Sequence, residues 1–178
     1  MCSYLKSTAP YSILMFGLYT QTFVMFPGVM LKKQLSFCNA NWGSILLVLV
    51  YNSADTLGRY TVPLIKRPDG LLLSYSLFFL RFINIACYVL IAVKFDQLPW
   101  FQSDWFALLN SFIFAFLNGL GTTIYFISGP LTTKKSGIKK ETIGFVMVLM
   151  LVLGITIGSY AALPLKNLGG GSSIWMYF

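Results

Sequence analysis

The stretch YNSADTLGRY, positions 51–60, holds three residues that could act together: Asn52, Asp55 and Arg59. On a helix they fall at about 0°, 300° and 340°, one polar stripe roughly 60° wide at about 100° per residue. Asp55 and Arg59 are an acid and a base four residues apart, acid first, the order in which they neutralise each other best. The guanidinium brings five donors and the carboxylate several acceptor sites, so the pair keeps capacity for hydroxyl groups of a ligand. A structural ion pair between helices and a polar substrate pathway both use this pattern. No histidine occurs, no nucleophile stands beside a base and no carboxylates are paired, so an enzyme is not expected and no catalytic residue is assigned.

The chain that must position this stripe is oily. Of 178 residues, 57% are apolar and 10% charged, and the mean hydropathy is +0.74. Soluble domains carry about 25% charged residues, so the composition is that of a membrane protein. Hydrocarbon about 30 Å thick needs roughly 20 apolar residues per helix. Five such runs are present, at about 9–30, 42–65, 70–93, 105–128 and 142–163, followed by a flexible Gly-Ser tail at 164–178. The runs are continuous and do not alternate at period two, which favours helices over a transmembrane barrel. The expected fold is an all-α, multi-pass membrane domain occupying 1–178, without a soluble domain.

The net charge of +8 comes mostly from Lys and Arg at span ends and in short loops, which points to topology and away from nucleic acid. Seven Lys and Arg residues fall on the side of the N-terminus, against four on the other: Lys6, Lys66, Arg67, Lys134, Lys135, Lys139 and Lys140, against Lys32, Lys33, Lys94 and Lys166. The positive-inside rule then puts the N-terminus inside and the C-terminus outside. Cys2, Cys38 and Cys87 form no CxxC pair, so neither a metal nor another cofactor is expected.

Only Asp55, Arg59 and Arg81 are charges well inside spans. Each would cost about 2.5 to 3.5 kcal/mol facing lipid at a helix centre, so protein or water should surround them. Other features read as packing. Asn118, Gly119 and Gly121 loosen the middle of span four, FPGV at 26–29 ends span one, and Gly154 with Gly158 makes a GxxxG step that lets helices approach closely. Asp104 is placed to help cap span four.

Taken in order, these stretches resemble the equilibrative nucleoside transporter family, specifically its C-terminal half, the seventh to eleventh helices. FPGV looks like the seventh-helix motif. YNSADTLGR matches the eighth-helix pattern aromatic-Asn-x-x-Asp-x-x-Gly-Arg. LRF at 80–82 is similar to the ninth helix, SDWF…FAFLNG…GP to the tenth and KKETIGFVMVLMLVLGITIGS to the eleventh. The resemblance implies one half of a major-facilitator-like transporter. It implies that Asp55 and Arg59 contact ribose hydroxyls, with Asn52 on the same substrate-binding stripe. Arg81, Asn118, Gly154 and Gly158 then support the site or the packing.

The departure is length: the family's first six helices have no counterpart here. One wall of a site between two bundles cannot enclose a nucleoside or alternate its access. Two functions follow as expectations. In the first, the chain moves nucleosides down their gradient by pairing with a complementary transporter half. In the second, it is a non-transporting subunit of a larger membrane complex. Such assemblies are typical of energy-transducing membranes, so the mitochondrial inner membrane is the location expected in that case. Both require other integral membrane chains and lipids as partners.

Overall fold

The computed structural model describes residues 2–26, 29–30, 35–65, 70–92, 99–131 and 140–165. Among these, five long α-helices account for most of the chain: α1 Cys2–Met25, α2 Ala40–Thr61, α3 Leu71–Ala92, α4 Asp104–Leu131 and α5 Lys140–Leu165. Two short 3₁₀ turns, Val62–Leu64 and Pro99–Gln102, complete the set. The regular structure among the described residues is therefore all helical. Leu71–Ile91, Asp104–Leu131 and Lys140–Pro164 are long and apolar enough to cross a membrane. The other two helices are as long but more polar, α2 through Asn52, Asp55, Thr56 and Arg59, α1 through Thr8, Ser12, Thr20, Gln21 and Thr22.

Helix ends differ from the apolar runs for local reasons. α1 reaches back to Cys2, past the polar start of the chain, and tolerates Pro10 inside it. It stops at Met25, ahead of Pro27 and Gly28, which lie outside the described residues. α2 stops two residues after Arg59 because Pro63 has no N–H to continue the ladder, and Val62 N–H closes onto Arg59 O instead. Arg59 thus sits in the last turn of α2, where the helix dipole favours a cation. α5 extends to Leu165, and the Gly-Ser stretch that follows is outside the described residues, as are 66–69 and 132–139. Asp104 opens α4, and its carboxylate accepts the Ser36 N–H at 2.6 Å and the Ser36 hydroxyl, tying the α1–α2 connection to the start of α4.

α4 is the central helix: it touches each of the other four, and more than half of its residues are buried. α1 packs most extensively on α5 and α2 on α4. Both contacts depend on glycine. A methyl group on Gly119 would fall 1.9 Å from Asp55 O, and one on Gly58 2.2 Å from Phe116 O, so α2 and α4 cross backbone to backbone. Gly119 is thus a point of close contact between α2 and α4. On the other side, methyls on Gly154 and Gly158 would lie 2.5 Å from Phe16 O and 2.8 Å from Thr20 O, which places the GxxxG edge of α5 against α1.

α3 and α4 meet along a polar ladder. Ser74 O accepts from Tyr125 Oη at 2.9 Å, Arg81 Nη1 donates to Asn118 Oδ1 at 3.1 Å, and Tyr88 Oη donates to Ser111 Oγ at 3.0 Å. The rungs recur every seven residues on both helices in antiparallel order, the spacing at which facing helices stay in register. Two apolar clusters fill the interior. One is built around Met15, Leu18, Ile124, Tyr125 and Met147, the other around Met30, Leu47, Ala54, Phe114 and Ala115. On every helix that contributes to it, the middle rung lies between members of the first cluster and members of the second.

Candidate functional site

Asp55 and Arg59 meet on α2, with Arg59 Nε donating to Asp55 Oδ2 at 2.8 Å. The other carboxylate oxygen, Oδ1, accepts from Asn118 Nδ2 of α4, also at 2.8 Å. The two ends of the pair differ in exposure. The Asp55 side chain is 16% exposed and that of Arg59 44%, so the carboxylate is held inside while the guanidinium faces outward. Tyr19 of α1 approaches that guanidinium, and its hydroxyl lies 3.4 Å from Thr122 Oγ1 of α4.

Behind this pair stands Arg81, which has no solvent exposure at all. A buried guanidinium must be surrounded by acceptors, and α1 and α4 supply them. Nη1 donates to Leu18 O and Asn118 Oδ1, each at 3.1 Å, and Nη2 to Thr22 Oγ1 at 2.7 Å. The Phe114 ring lies under the cation, 4.1 Å from guanidinium carbon to centroid. Among the described residues Nε has no hydrogen-bond partner. Tyr51 is stacked on Phe26, centroids 4.3 Å apart.

Asn118 joins the two halves of this arrangement. Its Oδ1 faces Arg81 and, at 2.8 Å, the Thr22 hydroxyl, while its Nδ2 faces Asp55. The polar groups therefore form one chain across four helices: Arg59 and Asp55 on α2, Asn118 on α4, Arg81 on α3, Thr22 on α1. A sequence stripe on α2 alone does not contain this chain. Thr22 and Phe114 carry no sequence mark as site residues, and Asn118 reads there as packing. For Asn118 the signal was the seven-residue repeat of polar residues in α3 and α4, which acquires meaning once those helices are paired.

Asn52 is not brought into the cluster. Its side chain is exposed and donates back to Val48 O at 3.0 Å within α2. It shares its outward face with Ser53, Thr56 and Arg59, all exposed. Gly154 and Gly158 lie on the α1–α5 contact, away from the polar chain.

Chemically the arrangement offers a fixed carboxylate beside a guanidinium with donors to spare, at the border of a polar, uncovered face. Vicinal hydroxyls match it: each hydroxyl can donate to Asp55 and accept from Arg59. Among the described residues no group of three or more His, Cys, Asp or Glu side chains comes together to hold a metal.

The family model described as Nucleoside transporter matches residues 3–166. The chain is similar to equilibrative nucleotide transporter 8 of Arabidopsis thaliana, 25% identical over 142 residues, covering 80% of this chain and 35% of that protein. It is also similar to equilibrative nucleotide transporter 3 of the same plant, 26% identical over 150 residues, covering 83% and 34%. The chain thus spans about a third of the length of these curated relatives. No solved structure matches it.

Proposed function

The chain belongs to the nucleoside transporter family, a membrane transporter family, and on that premise we propose that it forms one wall of a nucleoside pathway. In this reading Asp55 and Arg59 hold the ribose hydroxyls. The five helices all span the membrane as the C-terminal half of a major-facilitator-like transporter, with the N-terminus on the cytoplasmic side, and nucleosides move down their gradient when a complementary bundle closes the site.

The observation that carries this reading is the uncovered polar face of α2. Asn52, Ser53, Thr56 and Arg59 are exposed together on one helix of a membrane protein. Such a face is costly against acyl chains and is suited to a water-filled path or a second bundle. The length of the relatives, of which this chain spans about a third, leaves room for that bundle. The relatives are named for nucleotides, and the ribose diol is common to nucleosides and nucleotides.

Affinity on one wall is low. Two hydroxyl contacts to charged groups contribute about 1.5 to 3 kcal/mol each, and a dissociation constant of about 1 mM corresponds to about 4 kcal/mol. Saturation-transfer NMR with uridine on the chain in lipid nanodiscs reads that range. The expected result is millimolar binding that disappears in Asp55→Ala. Binding of equal strength in the variant, or none in the parent, would sink the proposal.

A further inference from the structure

We infer that Asn118 is a positioning residue, fixing the direction of the Asp55 carboxylate and transmitting the Arg81 charge to it, so that discrimination for ribose depends on α4 as well as α2. This rests on the reading of Asp55 and Arg59 as the ribose site.

The direction of the Asn118 amide is determined by its neighbours. Its oxygen faces Arg81 Nη1 at 3.1 Å and the Thr22 hydroxyl at 2.8 Å, and its nitrogen faces Asp55 Oδ1 at 2.8 Å. The flipped amide would set N–H against the guanidinium and a carbonyl oxygen against the carboxylate, both repulsive. Arg81 therefore fixes which face of Asn118 meets Asp55.

The consequence is directional. Among the described residues Arg81 is fully buried with no carboxylate bonded to it, and its acceptors are neutral. Asp55 is joined to it through one amide. One carboxylate oxygen of Asp55 is taken by Arg59 and the other by Asn118. With both oxygens tethered, rotation of the carboxylate is blocked and its remaining lone pairs keep one direction. The backbones are locked at the same level, since Gly119, the next residue of α4, lies against Asp55 O. A ligand hydroxyl then meets an acceptor held in place before binding, which is what preorganisation requires.

A residue that only satisfied Arg81 would have no need of its N–H groups, and this separates the two roles. Asn118→Asp keeps the shape and both acceptor contacts, and even gives Arg81 a carboxylate, but with both carboxylates ionised it presents an oxygen to Asp55 instead of a donor. The readout is the ratio of uridine to 2′-deoxyuridine affinity in the same nanodisc sample, which does not depend on the fraction folded. The ratio is followed up to about pH 9, since a proton shared between adjacent carboxylates restores the donor. The parent is expected to favour uridine about tenfold, the factor for one hydroxyl contact of about 1.4 kcal/mol. Asn118→Asp should bring the ratio to about one, as Asp55→Asn does. The double variant Asp55→Asn/Asn118→Asp restores an amide–carboxylate bond, so its melting temperature should recover while its ratio stays near one. Tyr125→Phe removes a ladder rung remote from Asp55, and should lower melting without moving the ratio. A tenfold ratio retained in Asn118→Asp, or regained in the double variant, overturns the inference and leaves the ribose site standing. A ratio of one in the parent overturns both.

Discussion

Replacing Gly119 by alanine adds one methyl group where the structure has no room for it. The new carbon would lie 1.9 Å from Asp55 O and 2.8 Å from the carbonyl carbon. Ordinary carbon–oxygen contacts are about 3.3 to 3.6 Å, so α2 and α4 must part by more than an ångström. The obstacle is backbone on a packed helix, which cannot turn aside as a side chain could. That movement stretches the Asn118–Asp55 bond, now 2.8 Å, beyond hydrogen-bonding range. Overpacking costs about 1 to 3 kcal/mol, and the lost bond to a charged group about 1.5 to 3. Alanine's better helix propensity returns about 1 kcal/mol. The expected net loss is therefore about 1.5 to 5 kcal/mol, read by denaturant-induced unfolding in bicelles. Gly144→Ala is the matched control, because a methyl there meets nothing within 4 Å. It should be neutral, or stabilising by up to about 1 kcal/mol. The two substitutions are chemically the same and should differ in sign. A Gly119→Ala chain within about 0.5 kcal/mol of the parent, the range of an ordinary surface substitution, would refute the backbone crossing of α2 and α4.

Other consequences follow from the same contacts. Gly154→Leu pushes against Phe16 O and should separate α5 from α1, lowering unfolding free energy by about 1 to 3 kcal/mol or more; parent-like unfolding would show the glycine edge to be incidental. Thr22→Val keeps volume but leaves Arg81 Nη2 without its acceptor, for a loss of about 1 to 3 kcal/mol in the same assay. Asp104→Ala frees Ser36, whose amide should exchange with deuterium faster than in the parent; unchanged exchange would mean that the α1–α2 connection is held by other contacts.

The helical class and the Asp55–Arg59 pair were legible in the sequence because both are local. Apolar runs declare helices, and an acid four residues before a base declares one face. The stripe of Asn52, Asp55 and Arg59 was legible as well, but not which of its members meets a neighbouring helix. A helical wheel gives angles between residues but not which edge of a stripe meets the neighbouring helix. In the structure α2 turns Asp55 toward α4, which leaves Asn52, about 60° further round, on the outward side. Arg81 was visible as a charge in a span, but its acceptors were not, since Thr22 and Leu18 O come from a helix some sixty residues away in the chain. Gly119 shows the same limit. A lone glycine in a helix does not name its contact until the opposing backbone at Asp55 is known.

The account turns on one claim, that Asp55 and Arg59 hold ribose on a wall that is incomplete by itself. Labelled uridine, measured on proteoliposomes holding only this chain, tests both parts when binding and uptake are followed in one preparation. The expected result is weak binding that is lost in Asp55→Ala, with no saturable uptake above empty liposomes. Saturable uptake abolished by Asp55→Ala would contradict the incomplete wall and show that the chain, alone or as a homodimer, transports. Binding indifferent to Asp55→Ala would contradict the ribose site itself.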